Sequence, residues 1–324
     1  MVMTARRRLG RTDIEIAPIG LGCWQFSEGI GLVGRYWPAL PRETTDAIVA
    51  VSLRGGVDWF DTAEIYGSGR SEQALSRALQ AAGKKNGDVV IATKWFPLLR
   101  TAASIRKTID DRLAALSPFS VDLHQIHHWV GLSPVEAEMA AMAGLVAEKK
   151  IRAVGVSNFG ASRMRRAHAA LAARGLGLAS NQMKYSLLDR RIEGNGVLAA
   201  AKELGATIIA YSPLEQGILS GKFHDDPGLA ARTAGPRKRL SAFRRRGLSR
   251  SRPVVEELKR IAAARGATPA QVALAWLVGF HGDAVVAIPG AMQERQAEEN
   301  AGAMRLSLST LEMKRLDEVS RSFV

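Results

Sequence analysis

Val89-Val90-Ile91-Ala92-Thr93-Lys94 is an apolar run that predicts a buried β-strand and ends in a lysine. Two similar runs are also followed by polar residues. Asp61 follows Val57–Phe60, and His127 follows Val121–Ile126. The step from Asp61 to Lys94 equals the step from Lys94 to His127, and each is about the length of one strand–helix unit. Polar residues so spaced leave neighbouring parallel strands at the same end. We therefore predict an α/β fold of the TIM (β/α)8 barrel type, whose active site lies at that end.

Four residues at this end, Asp61, Tyr66, Lys94 and His127, have the side chains needed to reduce a carbonyl group. A phenol with a pKa of about 10 is a weak acid. A lysine ammonium about 4 Å away contributes on the order of 4 kcal/mol at an effective dielectric constant of about 20, which is enough to lower the phenol's pKa by two or three. We expect Lys94 to lower the pKa of Tyr66, Asp61 to keep Lys94 charged, and His127 to position the reacting oxygen.

Each member of this set also has a purely structural explanation. Asp61 could cap a helix, Tyr66-Gly67 could form an ordinary turn, and a histidine after an apolar strand is commonly a core residue. Lys94 is harder to explain in this way, because lysine is almost never fully buried without a partner. The four residues together favour a catalytic site.

Longer motifs carry a resemblance to a known family. They are Gly56-Val57-Asp58-Trp59-Phe60-Asp61-Thr62-Ala63-Glu64-Ile65-Tyr66-Gly67, Ile91-Ala92-Thr93-Lys94, Asp122-Leu123-His124-Gln125-Ile126-His127, Gly155-Val156-Ser157-Asn158-Phe159, Asn181-Gln182, Ala210-Tyr211-Ser212-Pro213-Leu214 and Ile288-Pro289-Gly290-Ala291 with Glu299-Asn300. With these motifs in this order, nearly the whole chain resembles the aldo-keto reductase superfamily, in its bacterial-type branch. The resemblance implies a TIM barrel, a nicotinamide cofactor that is usually NADPH, and the catalytic tetrad Asp61, Tyr66, Lys94 and His127. It also favours His127 over His128 as the catalytic histidine.

Composition is typical of one globular domain over residues 1–324, with 47% hydrophobic residues. No apolar run reaches the roughly 18 residues of a membrane span. Arg6-Arg7-Arg8 is not followed by an apolar stretch, so we expect no export signal. The single cysteine, Cys23, excludes an internal disulfide and fits a reducing compartment, which predicts a cytoplasmic protein.

Apolar runs alternate with helical patterns along the chain, and eight of them are strand candidates: Ile19–Trp24, Val57–Asp61, Val89–Lys94, Val121–His127, Ala153–Ser157, Ala179–Met183, Thr207–Ser212 and Ala284–Pro289. Three capping boxes predict helix starts at Ser133, Thr268 and Ser309. We expect the first 18 residues to form a hairpin over the closed end of the barrel. The helix from Ser309 should pack outside the ring as an addition.

Residues beyond the later strands should face the same pocket. The amide of a nicotinamide needs donors and acceptors, which Ser157, Asn158 and Gln182 supply, and Tyr211 offers an aromatic face to its ring. The resemblance assigns them these roles, and it adds Gly22, Cys23, Trp24 and Asp61 to the cofactor site. No Gly-x-Gly-x-x-Gly motif follows a first strand, which disfavours a Rossmann domain.

The resemblance also places the cofactor's phosphates and adenosine. The pyrophosphate would lie against Ser212, Pro213, Leu214, Gln216, Gly217, Leu219 and Lys222, and the adenosine end against Gly290, Ala291, Gln296, Glu299 and Asn300. A phosphate at the start of the last barrel helix gains from free backbone donors. Position 292 is Met, where many members carry a basic or hydroxyl residue, and Arg295 could substitute for it. NADPH remains the expected cofactor.

Net charge is +14, and much of it lies in residues 232–252, which contain nine Lys or Arg and no acid. Their composition predicts a loop. Three interpretations remain: a solvated surface, a loop that attracts the cofactor's phosphates, or a nucleic-acid contact. Phe243 is the one aromatic residue in this segment, so no stacking platform is evident and we expect no specific nucleic-acid partner.

The substrate pocket should be aromatic, with walls from Trp24, Tyr66, Trp95, His127, His128 and Trp129, and with Tyr36 and Trp37 from the Gly29–Pro41 segment. So many indoles favour an apolar, fairly bulky carbonyl compound. We expect no metal and no membrane partner, and a monomer or weak homo-oligomer. Two alternatives stay open: a cofactor-binding regulatory barrel with little turnover, resembling channel subunits, and a Schiff-base aldolase with Lys94 as nucleophile.

Overall fold

The sheet consists of eight parallel strands that close into a barrel, in a computed structural model that describes residues 5–226, 228–232 and 240–324. The strands of the chain are β1 (Arg7–Arg8), β2 (Glu15–Ile16), β3 (Leu21–Gly22), β4 (Trp59–Asp61), β5 (Val90–Trp95), β6 (Val121–Ile126), β7 (Ile151–Ser157), β8 (Ser180–Lys184), β9 (Thr207–Tyr211) and β10 (Val285–Ala287). Strands β3 to β10 pair in chain order. The last strand returns to the first, since Gly20 N donates to Ala287 O at 2.9 Å and Gly22 N to Pro289 O at 3.1 Å. The predicted TIM-barrel fold is therefore confirmed.

All eight predicted barrel strands are present, although the first and last are shorter than the apolar runs. The run from Ile19 contributes only Leu21–Gly22, because the chain turns into a 3-10 helix at Trp24–Phe26. The last run contributes Val285–Ala287, since Gly282–Ala284 forms another 3-10 turn. The apolar runs indicate that these segments are buried. Where each strand ends is decided by the hydrogen bonds between the first and last strands of the barrel.

Helices surround the barrel and fill the connections between strands. They are α1 (Gly31–Gly34), α2 (Arg42–Arg54), α3 (Arg70–Ala81), α4 (Ala103–Leu116), α5 (Val135–Ala147), α6 (Ala161–Ala172), α7 (Arg191–Gly194), α8 (Val197–Leu204), α9 (Lys222–Asp225), α10 (Gly228–Arg232), α11 (Arg245–Arg265), α12 (Pro269–Phe280), α13 (Glu294–Gly302) and α14 (Thr310–Ser320). Further 3-10 turns span Glu215–Ser220, Ser241–Phe243, Ala303–Arg305 and Arg321–Phe323.

Two of the three predicted capping boxes are confirmed. Thr268 and Ser309 each accept a hydrogen bond from the backbone N–H three residues on, and the side chains of Gln271 and Glu312 return the contact. The box predicted at Ser133 is wrong. The N-cap there is Pro134, and the Ser133 hydroxyl instead accepts a hydrogen bond from Ala102 N at 2.9 Å. A tertiary contact has taken the oxygen that the local motif would use.

The predicted N-terminal cover is an antiparallel hairpin of β1 and β2, with residues 1–4 outside the described part of the chain. Its side chains Leu9, Ile14 and Ile16 are buried with the inward-facing apolar residues of the barrel. The N–H of Gly10 donates to the Thr207 hydroxyl at 2.8 Å, which attaches the hairpin to the start of β9. The barrel is therefore plugged at the end opposite the predicted site.

The C-terminal helix α14 lies outside the barrel ring, as predicted. Trp276 of α12 donates from its indole N–H to the Met313 carbonyl at 3.3 Å, and Arg265 of α11 forms an ion pair with Glu312 at 2.6 Å. Arg190, only 2% exposed, forms a further ion pair with Asp317 at 2.7 Å. The added helix is therefore held by a hydrogen bond and by ion pairs.

The prediction of a basic loop over residues 232–252 is wrong for most of its described part. Arg232 ends α10, Ser241–Phe243 is a 3-10 turn, and residues 245–252 form the first turns of α11. Phe243 and Leu248 are buried with Ile218 and Phe223, and this packing stabilises a helix where charge alone suggested a loop. Residues 233–239 lie outside the described residues.

Strand register explains the equal spacing of the predicted site residues. Asp61 pairs with Ala92, and Lys94 pairs with Gln125. Each step of 33 residues thus passes the register partner by two residues, and a shift of two keeps a side chain on the same face of a strand. The side chains of Asp61 and Lys94 therefore both face the barrel interior at its carboxyl end. His127 follows the end of β6 at the same position of the repeat.

Candidate active site

Lys94 and Asp61 form a buried ion pair at the carboxyl end of the barrel. Lys94 is 0% exposed and Asp61 2%. The Lys94 ammonium donates to Asp61 Oδ1 and, at 2.8 Å, to the Thr62 carbonyl. The second carboxylate oxygen accepts hydrogen bonds from the amide nitrogens of Gln182 at 2.8 Å and Gln125 at 3.1 Å. Both charges are therefore compensated within a buried, hydrogen-bonded group.

Tyr66 lies over this pair, on the turn between β4 and α3. The Lys94 ammonium is 5.1 Å from the centre of its ring, and the His127 ring centre is 5.6 Å away at an interplanar angle of 83°. Gly67 follows with a φ of +64°, and a Cβ there would collide with the Ser27 carbonyl oxygen. The turn that presents Tyr66 to Lys94 and His127 therefore requires glycine at position 67.

The pKa of Tyr66 differs from the one that the sequence predicts. Burial raises the pKa of Tyr66 above its ordinary value, and the opposing effect of Lys94 is too small to reverse this. The expectation that Lys94 brings the pKa of Tyr66 below its ordinary value is therefore wrong for this site as it stands. Burial disfavours the Lys94 ammonium, but the charges and hydrogen bonds of Asp61 and Tyr66 together outweigh burial, and the pKa of Lys94 is raised. Burial and the nearby Lys94 charge hold the pKa of His127 well below its usual range.

A second layer of charge holds the Tyr66 turn against β5. Glu64 accepts a hydrogen bond from Phe96 N at 2.6 Å and pairs with Arg100. Glu72, fully buried, accepts from the Thr93 hydroxyl at 2.6 Å and pairs with Arg112 at 3.2 Å. Thr93 immediately precedes Lys94, so the network ties both sides of the tetrad together.

Glu72 should make stability depend on pH. Burial raises the pKa of Glu72 from 4.5 to about 7. Between pH 4.5 and about 7, Glu72 is protonated in the folded protein but ionised in the unfolded chain. The stability that comes from a protonated Glu72 is therefore complete below pH 4.5 and is lost as pH rises through about 7. We expect Glu72→Gln to become more favourable relative to the parent between pH 5 and pH 8, by on the order of 3 kcal/mol.

Urea unfolding of parent and variant at both pH values measures this change. The difference between the two proteins is the relevant quantity, because the buried His124, whose pKa falls to about 3, titrates in the opposite sense in both. A difference in unfolding free energy that does not change with pH would contradict a titrating Glu72.

A cavity of about 810 Å³ opens above the tetrad. Its wall includes Asp61, Tyr66, His127, His128 and most of the predicted cofactor residues, namely Gly22, Cys23, Trp24, Ser157, Asn158, Gln182, Tyr211, Ser212, Pro213, Leu214, Gln216, Gly217, Lys222, Gly290, Gln296, Glu299 and Asn300. The fold thus brings together, on one surface, residues from the ends of all eight barrel strands.

Some predicted residues do not lie on this wall. Lys94 is beneath it, and Leu219 and Ala291 are buried in the core. Trp95 follows the inward Lys94 and therefore faces outward, where its indole N–H donates to the Ser104 hydroxyl of α4 at 3.1 Å. Trp129 is 52% exposed, outside the cavity. The prediction that these two indoles line the pocket is not supported by their positions.

Ser157, Asn158 and Tyr211 are already bonded to one another. The Asn158 amide nitrogen donates to the Ser157 hydroxyl at 3.0 Å, and the Tyr211 hydroxyl donates to the Asn158 amide oxygen at 3.0 Å. Ser157 in turn donates to the Gln182 carbonyl at 3.0 Å. These hydrogen bonds hold the side chains in one arrangement, as a preorganised polar site requires.

The segment after β9 has an unusual backbone. Ser212, Glu215 and Gln216 have φ between +45° and +59°, a region that residues other than glycine seldom adopt. Glu215 is held by an ion pair with Lys184 of β8 at 2.6 Å. Buried in the same segment, Gln216 Oε1 has no hydrogen-bond partner among the described residues. Strain and an unpaired polar atom together are typical of a ligand-binding loop.

The far end of the cavity is formed by the segment between β10 and the middle of α13. Gln296 accepts a hydrogen bond from Met292 N at 2.8 Å, and Asn300 donates to the Gly290 carbonyl at 3.3 Å. Arg295 forms an ion pair with Glu299 at 2.9 Å and is otherwise highly exposed. The cation nearest to Met292 in sequence is thus partly neutralised by its own helix.

Cys23 lies on the cavity wall, yet its residue is 0% exposed. Its thiol donates to the Leu21 carbonyl at 3.5 Å. Burial, reinforced by the nearby Asp61 carboxylate, raises the pKa of the thiol well above its ordinary value. Cys23 is therefore a protonated, packed side chain.

Several residues of the site were not predicted from the sequence. Gln125 is two residues before His127 on β6, so strand periodicity could have placed it inward beside Asp61. Ile65 lies in a turn and Phe96 in the irregular segment directly after β5, outside the regular strands. Gln25 packs against Gly290 across the barrel seam, a contact that only the closed sheet reveals.

Comparison with known proteins identifies relatives over nearly the whole chain. The model of the Aldo/keto reductase family matches residues 18–321. An uncharacterized oxidoreductase of Mycobacterium tuberculosis (strain H37Rv) is 38% identical over 95% of this chain and 91% of its own. The aldo-keto reductase yakc [NADP(+)] of Schizosaccharomyces pombe is 29% identical over 96% and 90%.

Solved structures give the same result. A glycerol dehydrogenase from Gluconobacter oxydans superposes with a TM-score of 0.83 at 27% identity, covering 100% of this chain and 97% of the other. A thermostable aldo-keto reductase crystallised with the inhibitor epalrestat gives a TM-score of 0.76 at 29% identity, covering 97% and 99%.

Proposed function

This chain belongs to the aldo/keto reductase family of oxidoreductases, and from that membership and its site we propose that it reduces an aldehyde or ketone to an alcohol with NADPH. The observation that carries the proposal is the arrangement at the cavity floor. A protonated Tyr66 lies above the buried Lys94–Asp61 pair and beside an uncharged His127. A carbonyl oxygen placed there meets a proton donor and a cation together.

The residues present fit a nicotinamide dinucleotide. Ser157, Asn158 and Gln182 would hold the carboxamide, and Tyr211 would stack on the ring. The strained segment from Ser212 to Lys222 would hold the pyrophosphate, since Gln216 Oε1 is buried there without a hydrogen-bond partner among the described residues. When bound, the cofactor supplies the hydride that is delivered to the carbonyl carbon.

The residues of this chain donate the proton and stabilise the negative charge that develops on the oxygens. Tyr66 holds the proton that passes to the carbonyl oxygen as the alcohol forms. Lys94 stabilises the phenolate that remains, and Asp61 keeps the ammonium charged throughout. His127, uncharged because burial and Lys94 lower its pKa, can donate a neutral hydrogen bond that orients the oxygen.

The raised pKa of Tyr66 favours the reductive direction. A phenol that stays protonated at neutral pH is ready to give a proton to an oxygen, and it must first lose that proton to accept one from an alcohol. The same site would therefore oxidise alcohols better as pH rises toward the pKa of Tyr66.

A relative's name and the basic residues of α11 favour NADPH over NADH. One relative's name includes NADP(+). The arginines at the start of α11 lie near the proposed pyrophosphate segment, because Leu248 of α11 is buried in one apolar cluster with Ile218. Met292 provides no charge for a 2′-phosphate, and Arg295 is shared with Glu299. We accordingly propose NADPH with measurable use of NADH.

The aldolase alternative needs an uncharged Lys94. The ion pair with Asp61 and the raised pKa of Lys94 both oppose that state, so nucleophilic attack by this amine is disfavoured. A regulatory barrel with little turnover would keep the cofactor residues without needing the tetrad. The complete tetrad therefore favours catalysis.

We further propose that the chain acts alone on a small molecule, as a cytoplasmic monomer or weak homo-oligomer without a specific nucleic-acid partner. Within the part of the chain that the structure describes, no helix is long and apolar enough to cross a membrane. The arginines at the start of α11 can still attract a polyanion weakly, through charge alone.

A panel of aldehydes and ketones, with loss of NADPH absorbance as the signal, tests the proposed function. We expect turnover with at least one compound and faster turnover with NADPH than with NADH. Tight cofactor binding without reduction of any compound would favour the regulatory barrel. Borohydride trapping of a substrate on Lys94 would favour the aldolase.

A further inference from the structure

Lys184 connects the end of β8 to the segment that follows β9. It is two residues after Gln182 on β8, so the two side chains lie on the same face of the strand. The Lys184 ammonium forms an ion pair with Glu215 Oε1 at 2.6 Å and lies 3.5 Å from Asp189 Oδ2. Lys184 and Glu215 are not on the cavity wall, whereas Gln216, the residue after Glu215, is. The ion pair is therefore one residue away from the proposed cofactor site.

Glu215 combines a buried carboxylate with an unusual backbone. The residue is 8% exposed, and its φ is +45°. A backbone in this region persists only where the surrounding contacts hold it. Its N–H donates to the Ser212 carbonyl at 2.9 Å, and Lys184 holds its side chain. Gln216 follows with a φ of +59°, so the ion pair also helps to fix Gln216 on the cavity wall.

Two carboxylates act on Tyr211, the aromatic residue of the proposed nicotinamide site. Burial raises the pKa of Tyr211 to about 12, and the charges of Asp189 and Glu215 act in the same direction. Asp189 forms an ion pair with Arg191 at 2.7 Å. For Glu215, the ion pairs of the described residues provide a single cation, Lys184. Without Lys184, an ionised Glu215 next to the proposed pyrophosphate segment would repel the phosphates of a cofactor.

Resting on the proposed nicotinamide dinucleotide, we propose that Lys184 is a positioning residue for the cofactor. It neutralises Glu215, which removes a repelling charge, and it holds the strained segment in the shape that receives the pyrophosphate. Lys184 acts through Glu215, because its own side chain is off the cavity wall. Its loss should therefore weaken cofactor binding and leave proton transfer at Tyr66 unchanged.

Three substitutions of Lys184 separate charge from packing. Lys184→Met removes the charge and keeps an apolar stem, Lys184→Gln removes the charge but keeps a donor toward Glu215, and Lys184→Arg keeps the charge. Fluorescence titration gives the Kd of NADPH, and kcat is measured with benzaldehyde, or with the compound of the aldehyde and ketone panel that is reduced fastest. At about pH 8.5 we expect Kd to rise about 10-fold in Lys184→Met, at least about 3-fold in Lys184→Gln and less than about 2-fold in Lys184→Arg. At saturating NADPH, kcat should stay within about 2-fold of the parent in all three.

Two further comparisons test whether the charge of Glu215 causes the loss. Adding Glu215→Gln to Lys184→Met removes the unpaired carboxylate, so Kd should return to within about 3-fold of the parent. The loss in Lys184→Met should also shrink at about pH 6, because burial raises the pKa of the Glu215 carboxyl and the variant lacks the cation that opposes this. The other titratable groups that act on Glu215 or respond to it, Asp189, Arg191 and Tyr211, are the same in parent and variant.

A matched control breaks an ion pair of the same length elsewhere. Arg165 of α6 pairs with Glu203 of α8 at 2.6 Å, and neither residue is on the cavity wall. Arg165→Met should therefore leave the Kd of NADPH unchanged. Urea unfolding shows which variants fold, and if Lys184→Met does not, Lys184→Gln supplies the test.

The outcomes separate this inference from the proposed function. If folded Lys184→Met and Lys184→Gln bind NADPH as the parent does, or if the double variant binds as weakly as Lys184→Met, the positioning role is overturned and the reductase stands. A fall in kcat with unchanged Kd overturns it as well. If NADPH binding depends on Lys184 as expected but no carbonyl compound is reduced, carbonyl reduction fails and the positioning role stands. A parent protein that binds neither NADPH nor NADH overturns both.

Discussion

Tyr66→Phe should lower kcat for carbonyl reduction by about 10²- to 10⁴-fold while leaving NADPH affinity unchanged. The substitution removes the hydroxyl that carries the transferable proton, and it keeps the ring that packs against Trp24 and His127. Single-turnover reduction and fluorescence titration of NADPH measure the two quantities. The loss should appear in kcat at every pH, because the hydroxyl that carries the transferable proton is missing at every pH.

Folding must be checked in the same experiment. The phenylalanine variant should unfold at nearly the same urea concentration as the parent, since it keeps the ring that packs against Trp24 and His127. A variant that folds, binds NADPH and reduces benzaldehyde at near-parental rate would show that another group supplies the proton. That result would show that Tyr66 does not take part in the chemistry and that its side chain serves only packing.

Lys94→Met should both destabilise and inactivate the protein. It leaves the Asp61 carboxylate buried at 2% exposure without its cation, which typically costs about 3–5 kcal/mol. Activity should fall by at least about 10²-fold, since no cation then stabilises the Tyr66 phenolate. Urea unfolding and steady-state kinetics measure the two effects.

The double variant Asp61→Asn with Lys94→Met separates stability from catalysis. Removing both charges should restore most of the lost free energy of unfolding, because the unpaired buried charge is gone. Activity should stay low, because the lysine is still missing. If the single variant is as stable as the parent, Lys94 and Asp61 do not form a buried ion pair, and if the double variant regains activity, Lys94 is dispensable.

The barrel and the meeting of Asp61 with Lys94 were predictable because they depend on regular spacing. Apolar runs of strand length, each ending in a polar residue, determine which strand ends meet, and the two-residue advance in register keeps Asp61 and Lys94 facing inward. The same periodicity explains one wrong prediction. Trp95 directly follows an inward lysine, so it had to face α4 rather than the cavity.

Other features depend on contacts between distant parts of the chain. Ser133 has the sequence of a helix cap, but Ala102 uses its hydroxyl. The arginine-rich segment has the composition of a loop, but Leu248 and Phe243 bury it as a helix. Tyr66 has a cation beside it, but the depth of its burial decides its pKa. Local sequence does not report burial depth or competing partners, so these outcomes needed the folded chain.

The single cysteine gives this protein a built-in chemical probe. Alkylating reagents attack the thiolate, and the buried Cys23 thiol remains protonated in the folded state because its pKa is raised well above the ordinary value. Labelling must therefore wait for a transient opening of the barrel mouth around β3. Its rate reports how often that mouth opens, and because Cys23 lies on the cavity wall, a ligand that occupies the cavity should slow the labelling in proportion to its own binding.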